Sequence, residues 1–170
     1  MKVLFVYPNL NAQVGFHYGL ASLSALLKQD GHQVKLLNLN EKVAPMPPDA
    51  ELLETIRKEA PDLVGFSVVT PQYKYALRLG RAVRETLRLP VILGGPHATM
   101  VPESLLRDGG TDFVCVGEGE TSLLPFVNGC GFGRPLGDDE FPGIARLRDG
   151  QMVLPPLPPL PDLATLPPLD

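Results

Sequence analysis

At 170 residues the chain has the length of one domain, taking about 150 residues per domain, and that is enough to build a substantial core. Hydrophobic residues make up 44% and charged residues 20%, an ordinary globular composition that excludes disorder, collagen and coiled coil. Residues 1–60 carry six basic and six acidic side chains and residues 61–135 seven of each, while 136–170 carry two and six. The net charge of −4 therefore sits in the last 35 residues, and no segment has the basic excess of a nucleic-acid binder.

Lys2–Tyr7 reads as a buried strand followed by a loop with Pro8 and Gly15. Leu20, Leu23 and Leu27 recur at helical spacing, with Gly31 placed to end that helix. Gln33–Asn38 is a second strand. Asp49, after Pro47-Pro48, is expected to cap a helix carrying Leu52, Leu53 and Ile56. Leu63–Ser67 is a third strand, and residues 73–88 form a helix with Ala76, Gly80, Val83 and Leu87 on one face. Pro90–Leu93, a short helix near 101–108, Asp112–Val116 and a brief helix near Thr121–Val127 follow, with Pro125 and Gly129 expected to stop the last helix early. Strands alternating with helices predict a doubly wound parallel α/β sheet, flavodoxin-like and five-stranded, in the order 2-1-3-4-5.

The pattern changes near residue 140, and 128–142 are mostly Gly, Pro and acids. Gly143–Leu147 and Gln151–Leu154, joined by Asp149-Gly150, predict a hairpin with a type I′ turn. Seven prolines within 155–168 predict a semi-extended tail. The expected organisation is an α/β domain over 1–140, a hairpin over 141–154 and a Pro-rich linker over 155–170.

No apolar run approaches the roughly 20 residues that span a bilayer, so no membrane partner is expected. Two cysteines, Cys115 and Cys130, and an N-terminus without a cleavage site fit a reducing cytoplasm.

Ligands of open parallel sheets sit beyond the carboxyl ends of the strands. Those ends read Tyr7-Pro8-Asn9, Ser67-Val68-Val69-Thr70, Gly94-Gly95-Pro96-His97 and Gly117-Glu118-Gly119-Glu120. Taken singly, Ser67 and Thr70 fit helix caps, Gly94-Gly95-Pro96 a tight turn, and Glu118 and Glu120 the positive end of a short helix. Together at one sheet edge they point to a site, where glycine lets a large ligand approach the backbone. The first strand-to-helix turn holds no G-x-G-x-x-G and the chain no P-loop, so dinucleotide and P-loop chemistry lack their main evidence. His17, His32 and His97 show no metal-ligand spacing, and no metal site is expected. Cys115, inside a strand, reads as an inert buried thiol, and Lys74, Arg78, Arg81 and Arg88 as a solvated helix face.

Gly94-Gly95-Pro96-His97-Ala98-Thr99, Pro102-Glu103 and Asp112–Glu120 resemble the N-terminal cobalamin-binding domain of radical S-adenosylmethionine enzymes. Val6-Tyr7-Pro8, Gly19-Leu20-Ala21, Gly31-His32, the Gly143-Ile144…Arg148-Asp149-Gly150 hairpin and Asp162-Leu163 extend the resemblance along essentially the whole chain. It implies cobalamin held at the C-terminal edge of the sheet, base-off and with no histidine replacing the base. Ser67 and Thr70 would serve the tail and its phosphate, and Gly94, Gly95 and Pro96 would give backbone clearance. His97 would make a polar contact, and Gly117, Glu118, Gly119 and Glu120 would line the nucleotide end. Pro8, Asn9 and Val68 would belong to the same edge, with the Asn9–Phe16 loop beneath the corrin. The family's [4Fe-4S] cluster is held by C-x-x-x-C-x-x-C, and the two cysteines here lie 15 apart. Cluster, S-adenosylmethionine and catalysis (methyl transfer, or radical cyclisation or rearrangement) are therefore expected in a radical domain in cis, with no catalytic residue in this chain. The alternatives are a stand-alone flavin- or nucleotide-binding protein and a non-catalytic docking domain.

Overall fold

The computed structural model describes residues 1–130 and 141–170. Five strands run parallel in the predicted order: β1 (Lys2–Pro8), β2 (Gln33–Leu39), β3 (Leu63–Ser67), β4 (Val91–Gly94) and β5 (Phe113–Cys115). The helices are α1 (Tyr18–Gln29), α2 (Asp49–Glu59), α3 (Tyr73–Ala82), α4 (Pro96–Met100), α5 (Pro102–Arg107) and α6 (Gly119–Gly129).

Alternation along the strands assigns each helix to a face. Leu4, Val6, Val64, Phe66, Val91, Leu93 and Val114 form one core layer with Leu52 and Ile56 of α2, Leu79 of α3 and Leu105 of α5. Val3, Phe5, Leu63, Ile92, Phe113 and Cys115 face the other way, against Leu20 and Leu27 of α1 and Leu123 and Phe126 of α6. Both faces are covered, as a parallel sheet requires.

The sheet has seven strands rather than five. The expected hairpin, β6 (Ile144–Arg148) and β7 (Gln151–Val153), adds antiparallel to the far edge, giving the order β2-β1-β3-β4-β5-β6-β7. Its Ile144 and Ala145 are buried, one against each core layer, so β6 closes the edge that β5 would expose. Asp149 (φ 51°) and Gly150 (φ 75°) both have positive φ, as the type I′ turn demands.

Several boundaries differ from expectation. Pro48, not Asp49, sits at the N-cap of α2; Asp49 and Glu51 instead place negative charge in its first turn, where the helix dipole favours it. The third helix is α-helical to Ala82 and then widens into a π-turn, Val83–Leu87, ended by Arg88 in the left-handed conformation. Pro125 does not stop α6, which continues to Gly129: Phe126 and Val127 beyond it are fully buried, and their packing holds the helix through the lost hydrogen bond. Pro96–Met100 is an additional short helix, begun by Gly95 (φ 97°) and by proline at its first position. Of the Gly-, Pro- and acid-rich stretch, 131–140 lie outside the described residues. The proline tail is extended except for a turn at Leu163–Thr165, where the Asp162 carboxylate accepts the Ala164 N–H at 3.0 Å. Among the described residues no helix is long and apolar enough to cross a membrane.

Candidate functional site

On the α1/α6 face, the two helices leave a cavity of about 530 Å³ over the C-terminal halves of the central strands. Phe5, Gly65, Ile92 and Cys115 form its floor, Leu20, Leu23 and Leu123 its sides, and Ser67, Gly94, Gly95 and Gly117–Glu120 its rim. The volume falls within the range of about 300–1,000 Å³ typical of small-molecule sites.

Glycine makes that space. A Cβ at Gly65 would stand 3.0 Å from the Phe5 ring, and one at Gly119, the first residue of α6, would stand 3.0 Å from Leu23 of α1. Gly94 follows Ile92 at the strand period, so its missing side chain would project into the cavity, with the Cβ of Cys115 at 3.6 Å. Gly95 serves the turn instead: φ is 97°, and a Cβ there would stand 2.8 Å from the Val68 carbonyl oxygen.

Polar groups are few. His17, the N-cap of α1, accepts the Leu20 N–H on Nδ1 at 3.1 Å, and its Nε2 lies 3.1 Å from Ser67 Oγ. The Tyr7 and His17 rings meet edge to face at 4.5 Å, and burial pushes the His17 pKa below the ordinary value. Thr99 Oγ1 accepts the Gly117 N–H at 3.1 Å, tying α4 to the rim loop that follows β5. Burial, with the Glu120 and Glu118 carboxylates adding to it, pushes the Cys115 thiol up to about 12. It is a neutral, apolar piece of wall, as expected of an inert thiol. Among the described residues no three His, Cys, Asp or Glu side chains converge to hold a metal ion.

Eight residues expected at the site line the cavity: Ser67, Gly94, Gly95, Pro96, Gly117, Glu118, Gly119 and Glu120. Five do not. Pro8 and Val68 are buried, and Asn9 is buried with its amide donating to the Gln13 carbonyl at 3.2 Å, which shapes the first loop. Thr70 Oγ1 pairs with His97 Nδ1 at 3.1 Å, and the His97 ring stacks on Tyr73 at 4.2 Å, outside the cavity wall. The floor and His17 were not anticipated. Strand alternation carried the signal for the floor, since Phe5, Ile92 and Cys115 share the face of α1. A histidine N-cap gives no comparable signal, because caps are typically Ser, Thr, Asp or Asn.

Residues 12–126 match the family model described as the B12 binding domain. The chain belongs to the B12-binding domain family. Among curated proteins it is 29% identical to cytidylyl-2-hydroxyethylphosphonate methyltransferase of Streptomyces wedmorensis, over 91% of this chain and 33% of that one. It is also 29% identical to an uncharacterized methyltransferase of Pyrococcus horikoshii, over 80% of this chain and 31% of that one. Among solved structures it resembles the radical S-adenosylmethionine methyltransferase TsrM of Kitasatospora setae, at 25% identity and TM-score 0.72, covering 91% of this chain and 30% of that one. A TsrM structure with cobalamin and a [4Fe-4S] cluster bound superposes with TM-score 0.73 at 23% identity, over 99% of this chain and 31% of that one. This B12-binding domain thus spans about a third of the length of the curated relatives it matches.

The cavity fits such a cofactor's nucleotide tail. Its floor and sides are apolar enough for a flat heteroaromatic base, Ser67 offers a hydroxyl at the mouth, and Gly94 leaves free the volume a side chain would take.

Proposed function

We propose that this chain holds cobalamin with the nucleotide tail inserted between α1 and α6 and the corrin over the C-terminal edge of the sheet, base-off and His-off. The observation that carries the reading is the glycine-walled cavity, open at the sheet edge where Gly94, Gly117 and Gly119 remove side chains together. Ser67 supplies a hydrogen bond to the tail, Gly94 the clearance, Gly95 and Pro96 the turn that frames it, and Gly117–Glu120 the nucleotide end. Pro8, Asn9 and Val68 hold those loops in place from behind. Thr70 and His97 stand at the same edge as a mutually bonded pair, placed to meet polar groups outside the cavity.

His17 does not serve as an axial ligand in this reading. Its Nδ1 is committed to the helix N-terminus and its Nε2 to Ser67, and among the described residues no carboxylate is bonded to the ring to orient it towards a metal.

When bound, the corrinoid supplies cobalt that can carry an alkyl group. What the protein does is bind, shield and orient. Since the relatives are methyltransferases and the chain spans a third of their length, we place it in a longer protein. Residues 155–170 would lead there to a radical S-adenosylmethionine domain performing methyl transfer, with the cluster held in that domain.

Hydroxocobalamin at 100 times its Kd should stabilise the chain by about 2.7 kcal/mol. A thermal melt that does not move in saturating hydroxocobalamin contradicts the proposal.

A further inference from the structure

The bond between His17 and Ser67 has a fixed polarity. A backbone N–H can only donate, so His17 Nδ1, receiving the Leu20 N–H at 3.1 Å, must present a lone pair. A neutral imidazole with Nδ1 unprotonated carries its single proton on Nε2. Burial favours that neutral form, and the Tyr7 ring, packed perpendicular to the imidazole at 4.5 Å, helps to fix its plane. Nε2 therefore donates to Ser67 Oγ across 3.1 Å. The Ser67 oxygen is taken as an acceptor, and its own proton is left to point elsewhere. Ser67 lies at the end of β3 on the cavity rim, so the open direction is the cavity.

We propose that His17 is a positioning residue that sets Ser67 as a hydrogen-bond donor into the cavity, so that the site selects tail bases presenting an acceptor lone pair. A benzimidazole released from cobalt presents one on its ring nitrogen. A phenolyl tail, as in p-cresolyl cobamide, has no ring nitrogen and leaves the Ser67 proton unmatched. This rests on the cavity being the tail site and adds to it a rule for which corrinoids are taken.

The test compares dissociation constants for cobalamin and p-cresolyl cobamide by equilibrium dialysis, in the unaltered chain, Ser67→Ala and His17→Asn. Asparagine is a good N-cap but too short to reach Ser67, so His17→Asn retains the helix cap while removing the orienting bond. The cost of lifting the base off cobalt is the same for every variant and cancels in the comparison of ratios. One neutral hydrogen bond corresponds to a fold-change of about five to ten. The ratio of the p-cresolyl to the cobalamin constant should fall by about that factor in both variants. Ser67→Ala leaves the cap untouched and decides the matter should His17→Asn melt early. A ratio unchanged in Ser67→Ala, or in a folded His17→Asn, overturns the inference while the cavity remains the corrinoid site. Failure of the unaltered chain to bind either corrinoid overturns the cavity assignment and the inference with it.

Discussion

Gly94 and Gly95 are neighbours in sequence and do different work. Gly94 faces the cavity with ordinary backbone geometry, so Gly94→Leu should fill the tail space and abolish corrinoid binding, leaving the melting transition within about 1 kcal/mol of the unaltered chain. Gly95 sits at φ 97° against the backbone of Val68. Gly95→Val should therefore destabilise the fold by several times that amount, and its loss of binding would not identify the site. Sequence shows both glycines alike at a strand exit; only the pleat and the turn conformation separate them. His17 adds a pH signature. Its folded pKa lies below the ordinary 6.5, so between 6.5 and that lower value the unfolded chain takes up a proton that the folded chain refuses. Stability that is full above pH 6.5 should be lost as the pH falls through that window. Denaturant titrations of His17→Asn over the same range should show this component removed; a slope identical to the unaltered chain would contradict the neutral N-cap role.

Among the elements, the third helix and the β5 entry are locked by two glycines in contact. A Cβ on Gly80 would run into the Gly110 carbonyl, and a Cβ on Gly110 would run into the backbone of Leu77. The helix turns into its π-turn just beyond, where Arg84 Nε donates to the Asp112 carboxylate at 2.8 Å and the other oxygen of Asp112 accepts the Val91 N–H at 2.9 Å. Gly80→Ala should cost about 1–3 kcal/mol by overpacking, measured as a lower urea midpoint; a midpoint within error of the unaltered chain would mean that the loop simply moves away. Helix-period apolar residues placed this helix from the sequence, and Gly80 was on its buried face. Neither the widened turn nor the Gly80–Gly110 contact follows from periodicity, because both depend on a partner about 30 residues away. The extension of α6 through Pro125 has the same character: proline is a local stop signal, and the buried Phe126 and Val127 override it through tertiary packing.

At the scale of the molecule, the order of the parallel strands followed from alternating strand and helix signals, since right-handed crossovers leave few choices. The docking of the hairpin on β5 did not, because an antiparallel pair can stand apart as readily as it can close a sheet edge. The tail keeps two leucines almost wholly outside: Leu160 is 81% and Leu163 78% exposed. Leu160→Asp with Leu163→Asp should leave stability within about 0.5 kcal/mol, and a larger loss would show that the tail belongs to this core. Base-off, His-off binding is read directly by electron paramagnetic resonance of the chain loaded with cob(II)alamin. Free cob(II)alamin shows the triplet splitting of an axial nitrogen; with the tail drawn into the α1–α6 cavity and both His17 nitrogens committed within the protein, the bound signal should carry no nitrogen splitting. A triplet that persists on the protein would contradict it.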